Sequence, residues 1–121
     1  MQGTTSILNS ALKHGNTLKR LILTSSAVAA LEFTTVPRFF TESDWNNGAV
    51  EAVKAKGSAA GPFVIYCASK TLAERAAWDF LTAHQSDISW DLAVINPSLI
   101  IGARLFSRLS AAAADVSLHN Y

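Results

Sequence analysis

The chain has 121 residues, half of them hydrophobic, and a formal net charge of +1 from ten basic and nine acidic residues. A chain of this length suits one compact domain, and its balanced charge, without long blocks of one sign, excludes the basic footprint of a nucleic-acid or anionic-membrane binder. The single cysteine, Cys67, excludes an internal disulfide, the first residues carry no basic-then-apolar leader, and no apolar run approaches the roughly 20 residues that span a bilayer, so a cytoplasmic protein is expected.

Thr4 or Thr5 is suited to cap a helix running to about Lys13, with Ile7, Leu8, Ala11 and Leu12 on one face and Gly15 just past its end. Leu18 to Thr24 reads as a strand. Its continuous run Leu21-Ile22-Leu23 is the pattern of a strand covered on both faces. Pro37, Asn46, Asn47 and Gly48 punctuate a long excursion, followed by a short helix from about Ala49 to Lys56 and breaks at Gly57 and Gly61-Pro62. The strongest helical pattern runs from about Val64 to Ala83, where Leu72, Ala73, Ala76, Ala77, Phe80 and Leu81 share a face. Trp90 to Ile95 reads as a second buried strand, stopped by Asn96-Pro97. A last helix is expected from about Leu105 to Ala114. Helices alternating with apolar strands favour a parallel sheet with crossover helices.

Chemistry concentrates at two places in this order. Thr24-Ser25-Ser26 closes the first strand, and Tyr66-Cys67-Ala68-Ser69-Lys70 opens the long helix. Residues four apart on a helix lie on one face about 6 Å apart along the axis, so the phenol and the ammonium can address one cleft. A free phenol has a pKa near 10, too high for ready proton exchange at neutral pH, and a neighbouring ammonium favours its ionised form. A hydroxyl at the carboxyl end of a parallel strand stands where open α/β sheets bind ligands. Each feature alone has a plainer reading: such Tyr-Lys pairs are common on helices, and a serine pair after a strand is usually a turn.

Together, the stretches Leu21–Ala27, Phe40–Asn46, Tyr66–Glu74, Ala76–Trp78 and Asn96–Gly102 resemble the middle of an extended short-chain dehydrogenase/reductase. Within that superfamily, which also holds the NAD-dependent epimerases and dehydratases, the likeness is to the dihydroflavonol reductase-like branch with its fungal aldehyde and ketone reductases. It covers about residues 3–102. The resemblance implies a partial Rossmann-type domain, a doubly wound parallel sheet incomplete at both ends. Residues 1–104 form its central NAD(P)-binding part and residues 105–121 a divergent tail. It implies Ser26, rather than Ser25, as catalytic serine and Tyr66 as catalytic acid/base. Lys70 would lower the phenol's pKa and bind the nicotinamide ribose, and the backbone at Pro97, Ser98 and Leu99 would lie against the nicotinamide. NADP or NAD is the implied cofactor and a small-molecule carbonyl or alcohol the implied substrate, with neither nucleic acid nor membrane as partner.

Two departures qualify that picture. The family's glycine-rich turn for the cofactor pyrophosphate has no counterpart among Gly3, Gly15, Gly48, Gly57, Gly61 and Gly102, so tight cofactor binding by this chain is not expected, and Ala103 stands where relatives carry proline. Sugar epimerases and dehydratases of the superfamily usually have glycine after the tyrosine and another tyrosine soon after the serine. Cys67 and Val28-Ala29-Ala30 at those places favour carbonyl reduction over epimerisation. A third reading is a truncated, non-catalytic product acting only by association through exposed apolar surface. Trp45, Trp78 and Trp90 read as packing residues, Glu42 and Asp44 as turn residues, and His14, His84 and His119 show no metal-ligand spacing.

Overall fold

A computed structural model describes residues 2–102. The expected Leu105–Ala114 helix and the tail 105–121 lie outside the described residues. Helix α1 (Gln2–His14) leads into strand β1 (Arg20–Thr24), a 3-10 turn at Ala27–Ala29 and the long excursion, then helix α2 (Asn47–Lys56), a second 3-10 turn at Gly57–Ala60, helix α3 (Pro62–Ala83) and strand β2 (Asp91–Ile95). The strands pair in parallel, with Leu21 opposite Leu92, Leu23 opposite Val94 and Thr24 opposite Ile95. Parallel neighbours need a long crossover, and residues 25–90 supply it with α2 and α3.

The first helix begins earlier than expected. Thr4 and Thr5 stand inside it instead of capping it, and the Thr5 hydroxyl donates back to the Gln2 carbonyl at 3.1 Å. Strand β1 starts two residues late, because Gly15 and Leu18 form a turn in which the Leu18 amide donates to the Gly15 carbonyl at 2.9 Å. Gly15 is buried against the end of α1. A β-carbon there would press on the Ala11 carbonyl and come within 2.7 Å of Leu18 Cδ1.

Two apolar clusters hold the elements together. Leu8, Ala77, Trp90 and Leu92 form the first, with Leu21, Leu23 and Val94 packed on it, so α1 and α3 cover one face of the sheet. Ala49, Val50, Cys67 and Ala68 form the second, between α2 and α3. The alternation of side chains across a strand sends Ile22 and Ile95 to the opposite face. No helix covers that face among the described residues, and Ile22 and Ile95 remain 61% and 54% exposed. The continuous apolar run in β1 is thus matched by packing on one side only.

Candidate active site

Ser25 and Ser26 follow β1 directly, and both are buried. The Ser25 amide donates to the Ile95 carbonyl at 2.9 Å and the Ala27 amide to the Pro97 carbonyl at 3.0 Å. The parallel ladder therefore continues past both strand ends, bringing the serine turn beside Asn96-Pro97. Ser26 has extended backbone and precedes the 3-10 turn, but its hydroxyl caps nothing. Pro97 is half-buried, whereas Ser98 and Leu99 are exposed.

Helix α3 begins where Gly61, at φ 87°, reverses the chain and Pro62 fixes the first helical φ. Tyr66 and Lys70 follow on adjoining turns, with the Lys70 ammonium 5.9 Å from the centre of the Tyr66 ring. Between and beyond them on the helix, Cys67, Thr71 and Glu74 are buried against the body of the protein. The Thr71 hydroxyl, directly after Lys70, lies 3.3 Å from the Ala29 carbonyl of the serine turn and 2.9 Å from its own helix at Cys67. This contact seats α3 against the serine turn at the level of the Tyr66–Lys70 segment. Among the described residues, the Ser26 hydroxyl, the Tyr66 phenol and the Lys70 ammonium have no hydrogen-bond partner.

Two polar side chains that sequence reasoning passed over fasten this arrangement. Asn46 caps α2, accepting from the Ala49 amide at 3.0 Å. Its backbone amide donates to Ala29 at 2.8 Å and its side-chain amide to Val28 at 3.1 Å. An asparagine three residues before the first helical alanine was a legible cap signal. Asn96, read only as a strand stop, donates its side-chain amide to the Ser26 carbonyl at 3.1 Å and to Glu74 Oε2 at 2.8 Å. Nothing in the sequence pairs positions 26, 74 and 96. As expected, Asp44 is a turn residue: its carboxylate accepts from the Thr41 amide at 2.7 Å and from Arg38. The Thr41 amide is the main cause holding its carboxyl below the ordinary carboxylate value.

Two clefts adjoin the site. One of about 310 Å³ lies beside Glu74 and Asn96 under the excursion, with Leu31, Phe40 and Trp78 on its walls. The other, about 280 Å³, runs between α2 and α3 past Phe33, Phe63 and Cys67. Burial pushes the Cys67 thiol up, which leaves it a poor nucleophile. Among the described residues no three His, Cys, Asp or Glu side chains gather as a metal site, and no helix is long and apolar enough to cross a membrane.

A parallel β-crossover-β unit with a serine turn ending its first strand and Tyr-x-x-x-Lys on its crossover helix is the arrangement that the resemblance to a Rossmann-type segment of the short-chain dehydrogenases/reductases implies. Comparison with known proteins makes the assignment more particular. The NADPH-dependent methylglyoxal reductase of Saccharomyces cerevisiae is 30% identical over 112 residues, covering 89% of this chain and 31% of the relative. A cinnamoyl-CoA reductase of Medicago truncatula is 34% identical over 119 residues, covering 96% of this chain and 32% of the relative. The crystal structure of Candida albicans Gre2 with NADPH superposes with a TM-score of 0.74 at 29% identity, over 89% of this chain and 31% of that one. No protein-family profile matches. These relatives group the chain with the dihydroflavonol reductase-like branch of the extended short-chain dehydrogenases/reductases, and they do not favour the epimerase alternative. The chain spans about 30% of the length of the curated relatives it matches.

Proposed function

We propose that this chain carries the proton-transfer half of an NADPH-dependent carbonyl reductase acting on a small aldehyde or ketone in the cytoplasm. The observation that carries the reading is that Ser26, Tyr66 and Lys70 keep their polar groups unpartnered among the described residues, while Cys67, Thr71 and Glu74 beside the pair on α3 are buried against the body of the protein. Tyr66 is 37% exposed and Lys70 half-buried, so their polar groups are open to a ligand from the surface. NADPH is the preferred cofactor because similar reductases use it.

In this reading the Ser26 hydroxyl donates to the substrate carbonyl oxygen and orients it. Bound NADPH supplies the hydride to the carbonyl carbon. The Tyr66 phenol gives its proton to the oxygen, so the product is an alcohol and the phenol is left as phenolate, to be reprotonated from solvent. The Lys70 ammonium stabilises that phenolate and offers its remaining donors to ribose hydroxyls. Pro97, Ser98 and Leu99 present backbone and exposed surface to the nicotinamide. The residues present thus fit the nicotinamide end of the cofactor. The six glycines offer no cradle for its pyrophosphate, and weak binding by the 121-residue chain follows.

The test supplies that missing part. Residues 3–102 replace the matching stretch of the Saccharomyces methylglyoxal reductase, and NADPH oxidation is followed with a panel of aldehydes and ketones. Turnover that falls at least ~100-fold in Tyr66→Phe supports the proposal, since acid–base groups contribute about that much. Equal rates for both forms would remove the phenol from the reaction. The sheet face at Ile22 and Ile95, which no helix covers among the described residues, favours a second reading, a non-catalytic product that acts by association. Micromolar NADPH binding to the chain itself, by calorimetry, would count against that second reading.

A further inference from the structure

Glu74 is 8% exposed and stands one turn beyond Lys70 on α3. Its carboxylate accepts from the Asn96 side-chain amide at 2.8 Å, and the same amide nitrogen donates to the Ser26 carbonyl at 3.1 Å. Both partners are acceptors, so the two hydrogens of one NH2 group are divided between the crossover helix and the serine turn. Asn96 follows β2, which is already joined to that turn through Ser25–Ile95 and Ala27–Pro97. Three separate segments therefore meet at one amide: the strand end that carries Ser26, the helix that carries Tyr66 and Lys70, and the segment beginning at Pro97.

We propose that Asn96 and Glu74 are positioning residues that hold the Ser26 turn at a set distance from the Tyr66–Lys70 helix. This inference rests on the reductase reading for its purpose, and on geometry alone for the clamp. The Ser26 carbonyl is the atom held, so the clamp fixes the backbone from which the hydroxyl projects. The Thr71–Ala29 contact fastens the far end of the same turn, three residues on. A turn held at both ends cannot shift against α3 without breaking the buried Thr71–Ala29 bond or the partly buried Asn96 bonds, and charged acceptors make the stronger bonds of this kind.

Amide hydrogen exchange on the 121-residue chain reads the clamp without cofactor or turnover. Asn96→Ala and Glu74→Leu are each expected to speed exchange at Ala27 and Ala29 by about tenfold, relative to Ala76 and Ala77 within α3. Glu74→Gln keeps an acceptor for the Asn96 amide and is expected to leave those rates within about twofold. If Asn96→Ala fails to fold, the Leu and Gln variants at position 74 still decide. Unchanged exchange at the turn, or equal acceleration by Leu and Gln, overturns the clamp. In the methylglyoxal reductase chimera, Asn96→Ala should lower kcat about tenfold with the KM for NADPH unchanged, and Glu74→Gln should retain kcat. Normal kcat in Asn96→Ala overturns the positioning role even if exchange responds. A chimera without Tyr66-dependent turnover but with selective exchange effects sinks the reductase reading and leaves the clamp standing.

Discussion

Thr71 is fully buried in the middle of α3, and its hydroxyl is shared between the Ala29 carbonyl at 3.3 Å and the Cys67 carbonyl at 2.9 Å. One bond faces the helix's own preceding turn and the other faces the serine turn, so a single side chain sets the approach of the two segments. Thr71→Val keeps the shape and deletes the hydroxyl. The Ala29 carbonyl retains the Asn46 amide, so the expected loss is about 1 kcal/mol, the usual net worth of one buried hydrogen bond. Urea unfolding measures it. A stability equal to the parent would mean that the Ala29 contact contributes nothing.

Gly61 has φ 87° and ψ 153°, a region that residues with a β-carbon avoid. Nothing lies within 4 Å of the position a β-carbon would take, so the cost of Gly61→Ala is conformational rather than steric crowding. A destabilisation of about 1–3 kcal/mol is expected, with fraying of the first turn of α3 ahead of Tyr66. Thermal melts give the size, and amide exchange over Phe63–Tyr66 shows where it acts. Ala at Gly3, which lies in α1 with open space around it, is the contrasting control and should not destabilise.

Arg20 and Asp91 face each other on the first rung of the parallel pair, joined by a two-pronged contact of 2.7 and 2.6 Å. The Arg20 guanidinium is the main cause holding the Asp91 carboxyl below its ordinary value of 3.8. A depressed carboxyl pKa stabilises the fold above the unfolded value, and the contribution fades as pH falls through the lower folded value. Stability should therefore drop below about pH 4, and Asp91→Asn should flatten that part of the profile. Both groups are solvent-exposed, so molar salt should shrink the difference between the two proteins. Parallel pH profiles for Asp91→Asn and the parent would remove the pair from the acid response.

Ile22 and Ile95 present apolar surface on the sheet face opposite α1 and α3. The 121-residue chain is expected to self-associate with rising concentration, because exposed apolar strand surface favours contact. Ile22→Thr keeps a β-branched residue in the strand and should shift sedimentation toward the monomer without lowering the melting temperature by more than a few degrees. A parent chain that is monodisperse and monomeric up to high concentration would contradict this.

Most local structure could be read along the chain. Leu8 and Ala11 at helical spacing, the Gly61-Pro62 break ahead of the long helix, the apolar runs at 21–23 and 92–95 and the Tyr66–Lys70 spacing each carry their signal within a few residues, although α3 starts at Pro62 rather than Val64. The failures were also local in origin. Thr4 and Thr5 looked like caps because both residue types favour that position, yet the helix extends past them. The run Leu21-Ile22-Leu23 implied two covered faces because strand periodicity cannot say how many layers are present.

The sequence alone determined the parallel β-α-β order, the phenol and ammonium on one helix and the serine at a strand end, because these follow from covalent spacing and short-range backbone preference. Only the tertiary structure decided that Thr71 meets Ala29, that the Asn96 amide divides between Ser26 and Glu74, and that Ile22 stays in solvent. Those polar contacts join positions 42, 70 and 22 residues apart, and no periodicity encodes which distant partner a polar group will meet once the chain has folded.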